Sequence, residues 1–351
     1  MLADRYKADG KSIMKLNDIQ REALLTLSDK IKSARYHFED IPCLICHGND
    51  FELLSEKDRY GLLNKVVVCK KCGLVQNNPR LNQESYNDFY STEYRPLYNG
   101  EINATDSFFK TQYFRGGLIY SFIKELEEFK RLKEPFVLEV GCGAGGILKA
   151  FQEKGCKVKG LDLGPDYLKF GKEKHGLDLE VGTIMSVKFD AKPDVIIYSH
   201  VLEHLTDPIA ELNNIKNLLS PNGLLYIEVP GIKEIHKNYR CDFLLYLQNA
   251  HTYHFSFTTL KNIFLISGFE IIRGDEFIRT ISRPVKIAAD NSWENDYLAV
   301  KDYLIKTEAK RKMYPYTGKA IKESLTHGLL KVSDAIGVRD VLRKIRKKIS
   351  G

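Results

Sequence analysis

An apolar run that breaks into four glycines is the feature that most limits how this chain can fold. Residues 137–146 read VLEVGCGAGG, with an acidic residue, Glu139, inside the run. The run predicts a buried strand, and a glycine-rich turn after a strand lets the backbone approach a ligand because glycine has no Cβ and accepts a positive φ. Dinucleotides, phosphates and S-adenosylmethionine (SAM) are all bound by such turns, so the turn alone does not choose among them.

Short apolar segments alternate with helical patterns beyond this turn. The strands predicted are 136–140, 158–161, 195–198 and 224–229, and the helices predicted between them are 147–154, 166–175 and 208–219. This alternation predicts an α/β fold with a parallel, doubly wound, Rossmann-like sheet. With 351 residues, 43% of them hydrophobic, the chain can bury one large domain of this kind and smaller parts beside it.

Two Cys-x-x-Cys pairs precede this domain. Cys43 pairs with Cys46, and Cys69 pairs with Cys72. Two pairs of this kind can supply four thiolates to a tetrahedral Zn²⁺ with no position left open, which predicts a structural, ribbon-like zinc module. A redox dithiol is the alternative, but it would require a thioredoxin-like βαβ unit next to one pair, and none is predicted there.

The chain is therefore divided into five segments. They are a helical segment at 1–40 with a helix within 17–35, a zinc-binding module at 41–80, an aromatic and helical connector at 81–134, the α/β domain at 135–290, and a basic helical tail at 291–351.

The positive charge is concentrated at the end of the chain. Residues 301–351 contain 14 Lys or Arg and 5 Asp or Glu, whereas the net charge of the whole chain is +7. The rest of the chain is thus close to neutral, which makes nucleic acid an unlikely partner of the core. Residues 332–349 have apolar positions on one side of a predicted helix, which is compatible with an anionic membrane surface or with a docking helix.

The strand after the glycine turn ends in Asp162, where a carboxylate can accept hydrogen bonds from the ribose of a nucleoside cofactor. Glu139, before the first glycine, could bind the cationic amino group of a methionine moiety. Glu139 favours SAM over NAD, whereas Asp162 suits either cofactor.

These residues resemble the class I SAM-dependent methyltransferases, and more narrowly the bacterial members with an N-terminal zinc-binding module. The resemblance covers about 43–272. Its further elements are CGLV from Cys72, DFYSTEY from Asp88, VLEHLTDP from Val201, and HFSFTTL from His254 followed by SGF. The resemblance implies SAM as cofactor and a small acceptor, often a sugar or a nucleotide-linked sugar. The candidate cofactor-binding residues are Glu139, Gly141, Cys142, Gly143, Asp162, Leu163, Ser199 and His200.

Histidines near the ends of the strands are the candidate catalytic residues. Methyl transfer to oxygen or carbon requires removal of one proton, for which imidazole is suited. His251 is the preferred base, because it matches the position of the catalytic histidine in the sugar C-methyltransferases that the segment resembles. His200 is a further candidate, and so is His204, at the start of a predicted helix, where a cap or a packing contact is the alternative.

Three residues before His251 differ from the pattern of the sugar C-methyltransferases. Gln248 and Asn249 stand in place of Tyr-His, and Ala250 stands in place of glutamate. Oxygen is therefore the favoured acceptor atom, and carbon is the alternative. The candidate acceptor-binding residues are Tyr90, Tyr94, Tyr98 and His254, although the tyrosines could equally pack the zinc module against the core.

The sequence thus predicts a SAM-dependent O-methyltransferase acting on a sugar, nucleotide-sugar or glycan in surface polysaccharide or related biosynthesis. An RNA-directed methyltransferase or a SAM-binding protein recruited through the zinc module is a second alternative. No run of 18–20 apolar residues and no signal-peptide pattern is found, so a cytoplasmic location is expected, with contact to the inner face of the membrane as a hypothesis.

Overall fold

The computed structural model describes residues 1–287 and 292–316. Its strands are β1 (Phe38–Glu39), β2 (Phe51–Lys57), β3 (Leu63–Cys69), β4 (Val75–Asn77), β5 (Arg80–Leu81), β6 (Phe136–Val140), β7 (Lys157–Asp162), β8 (Leu179–Val181), β9 (Val195–Ser199), β10 (Leu224–Glu228), β11 (Tyr253–His254), β12 (Phe269–Gly274) and β13 (Arg279–Pro284). Its helices are α1 (Asp18–Lys32), α2 (Gln83–Thr92), α3 (Tyr94–Asn99), α4 (Asp106–Ile123), α5 (Glu127–Lys130), α6 (Gly146–Gln152), α7 (Pro165–His175), α8 (Pro208–Leu218), α9 (Ile235–Asn238), α10 (Phe243–Tyr246), α11 (Phe257–Ser267) and α12 (Tyr297–Arg311).

A seven-stranded sheet in the order β12-β13-β10-β9-β6-β7-β8 forms the centre of the fold. The five strands from β10 to β8 are parallel, which confirms the predicted α/β arrangement there. The prediction of a wholly parallel sheet is wrong at one edge, because β13 runs antiparallel to both β10 and β12. The sheet is therefore mixed.

Both faces of this sheet are buried. Along β6, Val137 belongs to one apolar cluster and Leu138 to another, as expected when successive side chains of a strand point to opposite faces. Helices α4 and α6 cover the face of Val137, whereas α8 and α11 cover the face of Leu138. Layers on both sides leave the carboxyl ends of the parallel strands as the edge where a ligand can approach.

The cysteine module is joined to this domain by backbone hydrogen bonds. Strands β2, β3 and β4 form an antiparallel sheet, and its fourth strand, β11, comes from far along the chain, with Tyr253 opposite Gln76 and His254 opposite Val75. Cys43, Cys69 and Cys72 share an apolar cluster with the large domain. The module therefore holds the segment around His251 in place.

The predicted N-terminal helix is confirmed as α1, which begins with a capping box between Asn17 and Gln20. Its buried residue Leu27 packs in one cluster with Tyr86 and Phe89 of α2. The predicted helix start at His204 is wrong, because residues 202–204 form a 3-10 turn and α8 begins at Pro208, where the Asp207 side chain accepts a hydrogen bond from Ala210 N.

The predicted tail helix at 332–349 lies outside the described residues. Among the helices within 1–287 and 292–316, none has both the length and the apolar content needed to cross a lipid bilayer.

Candidate active site

A cavity of about 760 Å³ lies at the carboxyl ends of the parallel strands. Four residues at the ends of these strands line the cavity. Gly141 directly follows β6, Asp162 is the last residue of β7, Ser199 is the last residue of β9, and His200 comes next. They meet because neighbouring parallel strands end at the same edge of the sheet. The other predicted residues that line it are Gly143, Leu163, Tyr90, Tyr94, Tyr98, His204 and His251.

The glycine turn forms one wall of this cavity with bare backbone. Gly141 has φ +72°, and a Cβ added there would lie 2.4 Å from Val201 Cγ2. Gly143 has φ +55°, and a Cβ there would lie 2.9 Å from Gln112 Nε2. Both positions therefore require glycine, because a Cβ at either one would clash with a neighbouring side chain and would be strained at a positive φ.

Asp162 fixes the turn and keeps capacity for a ligand. Its Oδ2 accepts a hydrogen bond from Gly143 N at 2.7 Å, and its Oδ1 accepts from Gly164 N at 2.7 Å and from Arg95 Nη2 at 2.6 Å. A carboxylate has about four lone-pair sites, and three hydrogen bonds use three of them. Asp162 can therefore accept one more hydrogen bond, from a ribose hydroxyl. Arg95 also lies 4.0 Å from the centre of the Tyr167 ring, which holds the guanidinium over this end of the cavity.

Two of the predicted cofactor residues lie behind the wall of the cavity. Glu139 is 1% exposed, and its Oε2 has no hydrogen-bond partner among the described residues. Burial, with the nearby Asp162, raises the pKa of Glu139 well above its usual range. The Cys142 side chain is fully buried, packing towards Gly160, and burial raises the pKa of its thiol. Their backbone, rather than their side chains, shapes the turn.

The tyrosines of α2 and α3 pack against one another and also line the cavity. The Tyr94 ring is 5.0 Å from the Tyr90 ring in an edge arrangement and 5.6 Å from the Tyr98 ring in a stacked one. Tyr90 and Tyr94 pack against the cluster of α1, while Tyr98 is 47% exposed beside the cavity. The aromatic connector therefore joins the N-terminal part to the core and offers ring faces to a ligand.

Four histidines lie close together, and three of them line the cavity. The ring centres of His204 and His251 are 4.7 Å apart, and those of His251 and His254 are 6.0 Å apart. Burial and the neighbouring histidines lower the pKa of His251 well below its usual range, and burial lowers that of His204. His254 is 1% exposed and lies behind the cavity wall, where burial lowers its pKa to about 3.

His200 is the most accessible of these imidazoles. Its side chain is 32% exposed, and its backbone has φ +58°, held by the hydrogen bond that His200 N donates to Glu228 O at 2.8 Å. A positive φ is uncommon for a residue with a Cβ, although histidine adopts it more often than most residues do. Nδ1 is 3.5 Å from Glu203 Oε1, and Nε2 is 3.8 Å from Glu228 Oε1.

Three residues of this site were not among the predicted ones. Glu203 lies at the centre of the histidines, Arg95 reaches Asp162 from 67 positions earlier, and Gln112 Nε2 donates to Cys142 O from 30 positions earlier. A charged residue between Leu202 and His204 in an apolar motif is a signal that could have indicated Glu203. Nothing local to Arg95 or Gln112 indicates that they reach across the fold.

The four predicted zinc ligands converge away from this cavity. Cys43 Sγ is 3.3 Å from Cys72 Sγ, Cys46 Sγ is 3.4 Å from Cys69 Sγ, and the four sulfurs all lie within 4.8 Å of one another. A tetrahedral ion with bonds of about 2.3 Å to sulfur places its ligands about 3.8 Å apart. The arrangement thus fits Zn²⁺.

A comparison with protein families places this cavity in a known type of domain. Residues 112–273 match the family profile described as a methyltransferase domain. This segment is a methyltransferase domain. It begins within α4 and ends within β12, and it contains the glycine turn, Asp162 and the histidines.

Relatives of the methyltransferase domain are distant and match in part. The ubiquinone biosynthesis O-methyltransferase of Haemophilus ducreyi is 30% identical over 102 residues, which cover 26% of this chain and 43% of that protein. An uncharacterized methyltransferase of Staphylococcus carnosus is 25% identical over 165 residues, which cover 46% of this chain and 75% of that one. The chain spans less than half the length of the ubiquinone enzyme that it matches.

Solved structures with a similar domain include an O-methyltransferase family protein from Burkholderia thailandensis, with 15% identity, a TM-score of 0.42 and coverage of 57% of this chain and 64% of that chain. DesVI of Streptomyces venezuelae has 13% identity and a TM-score of 0.39, covering 52% of this chain and all of its own.

Proposed function

We propose that this chain transfers a methyl group from SAM to a hydroxyl oxygen of a sugar, nucleotide-sugar or glycan, as in surface polysaccharide or related biosynthesis. The observation that carries the proposal is one continuous cavity lined by the glycine turn and Asp162 and also by the tyrosines and histidines. A cofactor and an acceptor could occupy it together.

The residues at the glycine turn fit SAM. Gly141 and Gly143 line the cavity with backbone that the methionine portion can approach closely, and the free capacity of Asp162 suits the ribose hydroxyls. The stacked Tyr94 and Tyr98 offer an apolar face on which a sugar ring can lie. When bound, SAM supplies an electrophilic methyl carbon on a sulfonium sulfur.

His200 is placed to take the proton that the acceptor hydroxyl loses. It is the accessible histidine of the site, and Glu203 and Glu228 lie on either side of its ring. A proton taken up by the ring is therefore held between two carboxyl groups. Burial makes the same gain of charge unfavourable at His251, so we transfer the role of base from His251 to His200.

A substitution at Asp162 tests the cofactor site. Asp162→Asn removes the negative charge and one acceptor, so the affinity for SAM measured by calorimetry should fall roughly ten- to a hundredfold, the equivalent of one charged hydrogen bond. Asp166→Asn, an exposed change four positions later in the chain, should leave the affinity unchanged. Equal affinities for the two variants, with both proteins folded by circular dichroism, would remove Asp162 from the cofactor site.

The reaction is tested by incubating the protein with SAM carrying a labelled methyl group and a panel of sugars, nucleotide-sugars, glycans and RNA. Label in an ether-linked methyl group of a sugar is the expected result. Label on a sugar carbon, or label in RNA with salt-dependent binding, would contradict the proposal.

We also infer that the four cysteines bind a structural Zn²⁺. The inference is supported by the convergence of the sulfurs and by their burial in the cluster that contains Tyr253 and Phe255. The module then orders β4, on which β11 is paired, and through it the segment around His251.

A further inference from the structure

Glu203 is a buried carboxylate at the centre of the histidine group. It is 1% exposed, and neither of its oxygens has a hydrogen-bond partner among the described residues. An unpaired buried carboxylate costs several kcal/mol, so a cation or a donor is expected to compensate it in the working protein.

Imidazole nitrogens surround one oxygen of this carboxylate at distances too long for hydrogen bonds. Nε2 of His204 and Nε2 of His251 both lie 3.9 Å from Glu203 Oε1. A direct bond between nitrogen and oxygen would require about 2.7–3.2 Å. The three side chains are therefore grouped without being bonded to one another.

The hydrogen bonds of His204 leave the nitrogen nearest to Glu203 free to act as a ligand. Nδ1 of His204 lies 3.1 Å from the carbonyl oxygen of Ala250 and 3.0 Å from the hydroxyl oxygen of Tyr90, and that hydroxyl donates to the same carbonyl at 2.9 Å. Because the carbonyl takes the Tyr90 proton, both neighbours of Nδ1 are acceptors, and Nδ1 is the nitrogen that carries the proton. Nε2 then carries the lone pair. A carbonyl that fixes the tautomer of an imidazole in this way is the usual partner of a histidine that binds a metal.

We propose that Glu203, His204 and His251 bind a divalent transition-metal ion in the acceptor part of the cavity. One ligand atom of each residue lies within 4.8 Å of the others, and bonds of about 2.0–2.2 Å would require only a small contraction. Nε2 of His251 also contacts the amide of Gln248, whose Oε1 accepts a hydrogen bond from Arg59 Nη2. The proposal therefore requires this amide to rotate away from His251 when the ion binds.

Two imidazoles and one carboxylate form the ligand set typical of iron(II), manganese(II) or zinc with open positions. All three side chains line the cavity, so the open positions are available to the acceptor. If the proposed function holds, the open positions of the ion are filled by two neighbouring hydroxyl groups of a sugar. A hydroxyl bound to such an ion loses its proton more readily. With the ion on Glu203, Glu228 is the carboxylate that faces the ring of His200.

Binding of Mn²⁺ tests the site without any turnover. The full chain is first dialysed until it holds one Zn²⁺ per molecule, which the cysteine thiolates bind in preference to the histidine site. It is then titrated with Mn²⁺, and the concentration of free Mn²⁺ is followed by electron paramagnetic resonance. We expect one Mn²⁺ per chain in the wild type, and at least a tenfold loss of affinity in Glu203→Gln. His236→Ala, an exposed histidine outside the group, should bind as the wild type does.

A second variant distinguishes loss of the metal site from misfolding of the protein. His204→Gln keeps the charge of Glu203, and its affinity for Mn²⁺ should also fall at least tenfold. Mn²⁺ should raise the melting temperature of the wild type and of His236→Ala, but not that of Glu203→Gln or His204→Gln. Absence of a bound Mn²⁺, or equal affinity in the wild type and both variants, would overturn the proposal. If Mn²⁺ binds as expected and no acceptor is methylated, the proposed function fails and the metal site stands.

Discussion

Replacing Cys69 by serine is expected to abolish zinc binding and to unfold the cysteine module. Cys69 ends β3, is fully buried, and lies with Cys43 and Cys72 in the cluster that continues into the large domain. Structural Zn²⁺ contributes roughly 10–16 kcal/mol in zinc-finger peptides, whereas a whole domain is stable by about 5–15 kcal/mol. Loss of one thiolate should therefore lower the melting temperature by more than any of the substitutions in the active-site cavity.

The measurement is zinc content by atomic emission, together with a thermal melt followed by circular dichroism. Cys156→Ala is the matched control, because Cys156 is 6% exposed, lies in the other apolar cluster and is far from the four sulfurs in the fold. The control should keep one zinc per chain. A Cys69→Ser protein that also keeps one zinc and melts with the control would refute a structural four-cysteine site.

The spacing of the cysteines predicted the module, but not how the module joins the rest of the chain. Its fourth strand, β11, has two residues and pairs with β4 across a separation of more than 170 positions. A two-residue strand has no hydrophobic periodicity, so no pattern in the sequence indicates it. The pairing exists because Tyr253 and Phe255 are buried in the same cluster as the cysteines.

The strands of the parallel sheet could be predicted because both faces are buried and the strands are apolar runs. The run 136–140 coincides with β6, and 224–229 differs from β10 by one residue. Strand β13 was missed because polar residues lie at its buried positions: Thr280 and Ser282 are fully buried, and their hydroxyls donate to Ile227 O and Leu225 O. A hydroxyl that is satisfied by the neighbouring strand can occupy a core position that a hydrophobic pattern does not reveal.

The candidate site also contains residues that could be predicted from the sequence and residues that could not. Gly141, Asp162 and His200 could be placed in advance because each follows a predictable strand, and the ends of parallel strands meet. The place of Glu203 among the histidines could not be predicted, because His251 is 48 positions away in the sequence and is held near Glu203 by the pairing of β11.

The substitution His200→Asn is expected to lower turnover by about 10²–10⁴, the usual contribution of a general base, while the affinity for SAM stays the same. Asparagine is chosen because it tolerates the positive φ of position 200 better than alanine does, so the change removes the imidazole with little strain in the backbone. Turnover is measured with the acceptor found in the labelling experiment, and SAM affinity by calorimetry.

Two further measurements separate proton transfer from a structural effect. Added imidazole should restore part of the activity of His200→Asn. The His200 side chain is 32% exposed, so free imidazole can reach the place that it leaves. His37→Asn, an exposed change on the N-terminal part, should turn over as the wild type does. The opposite outcome is that His200→Asn retains turnover within about threefold, whereas His251→Ala loses turnover and regains it with imidazole. His251 would then be the proton acceptor, as the resemblance to the sugar C-methyltransferases implies. A histidine in that role could not at the same time be a ligand of the ion proposed at Glu203.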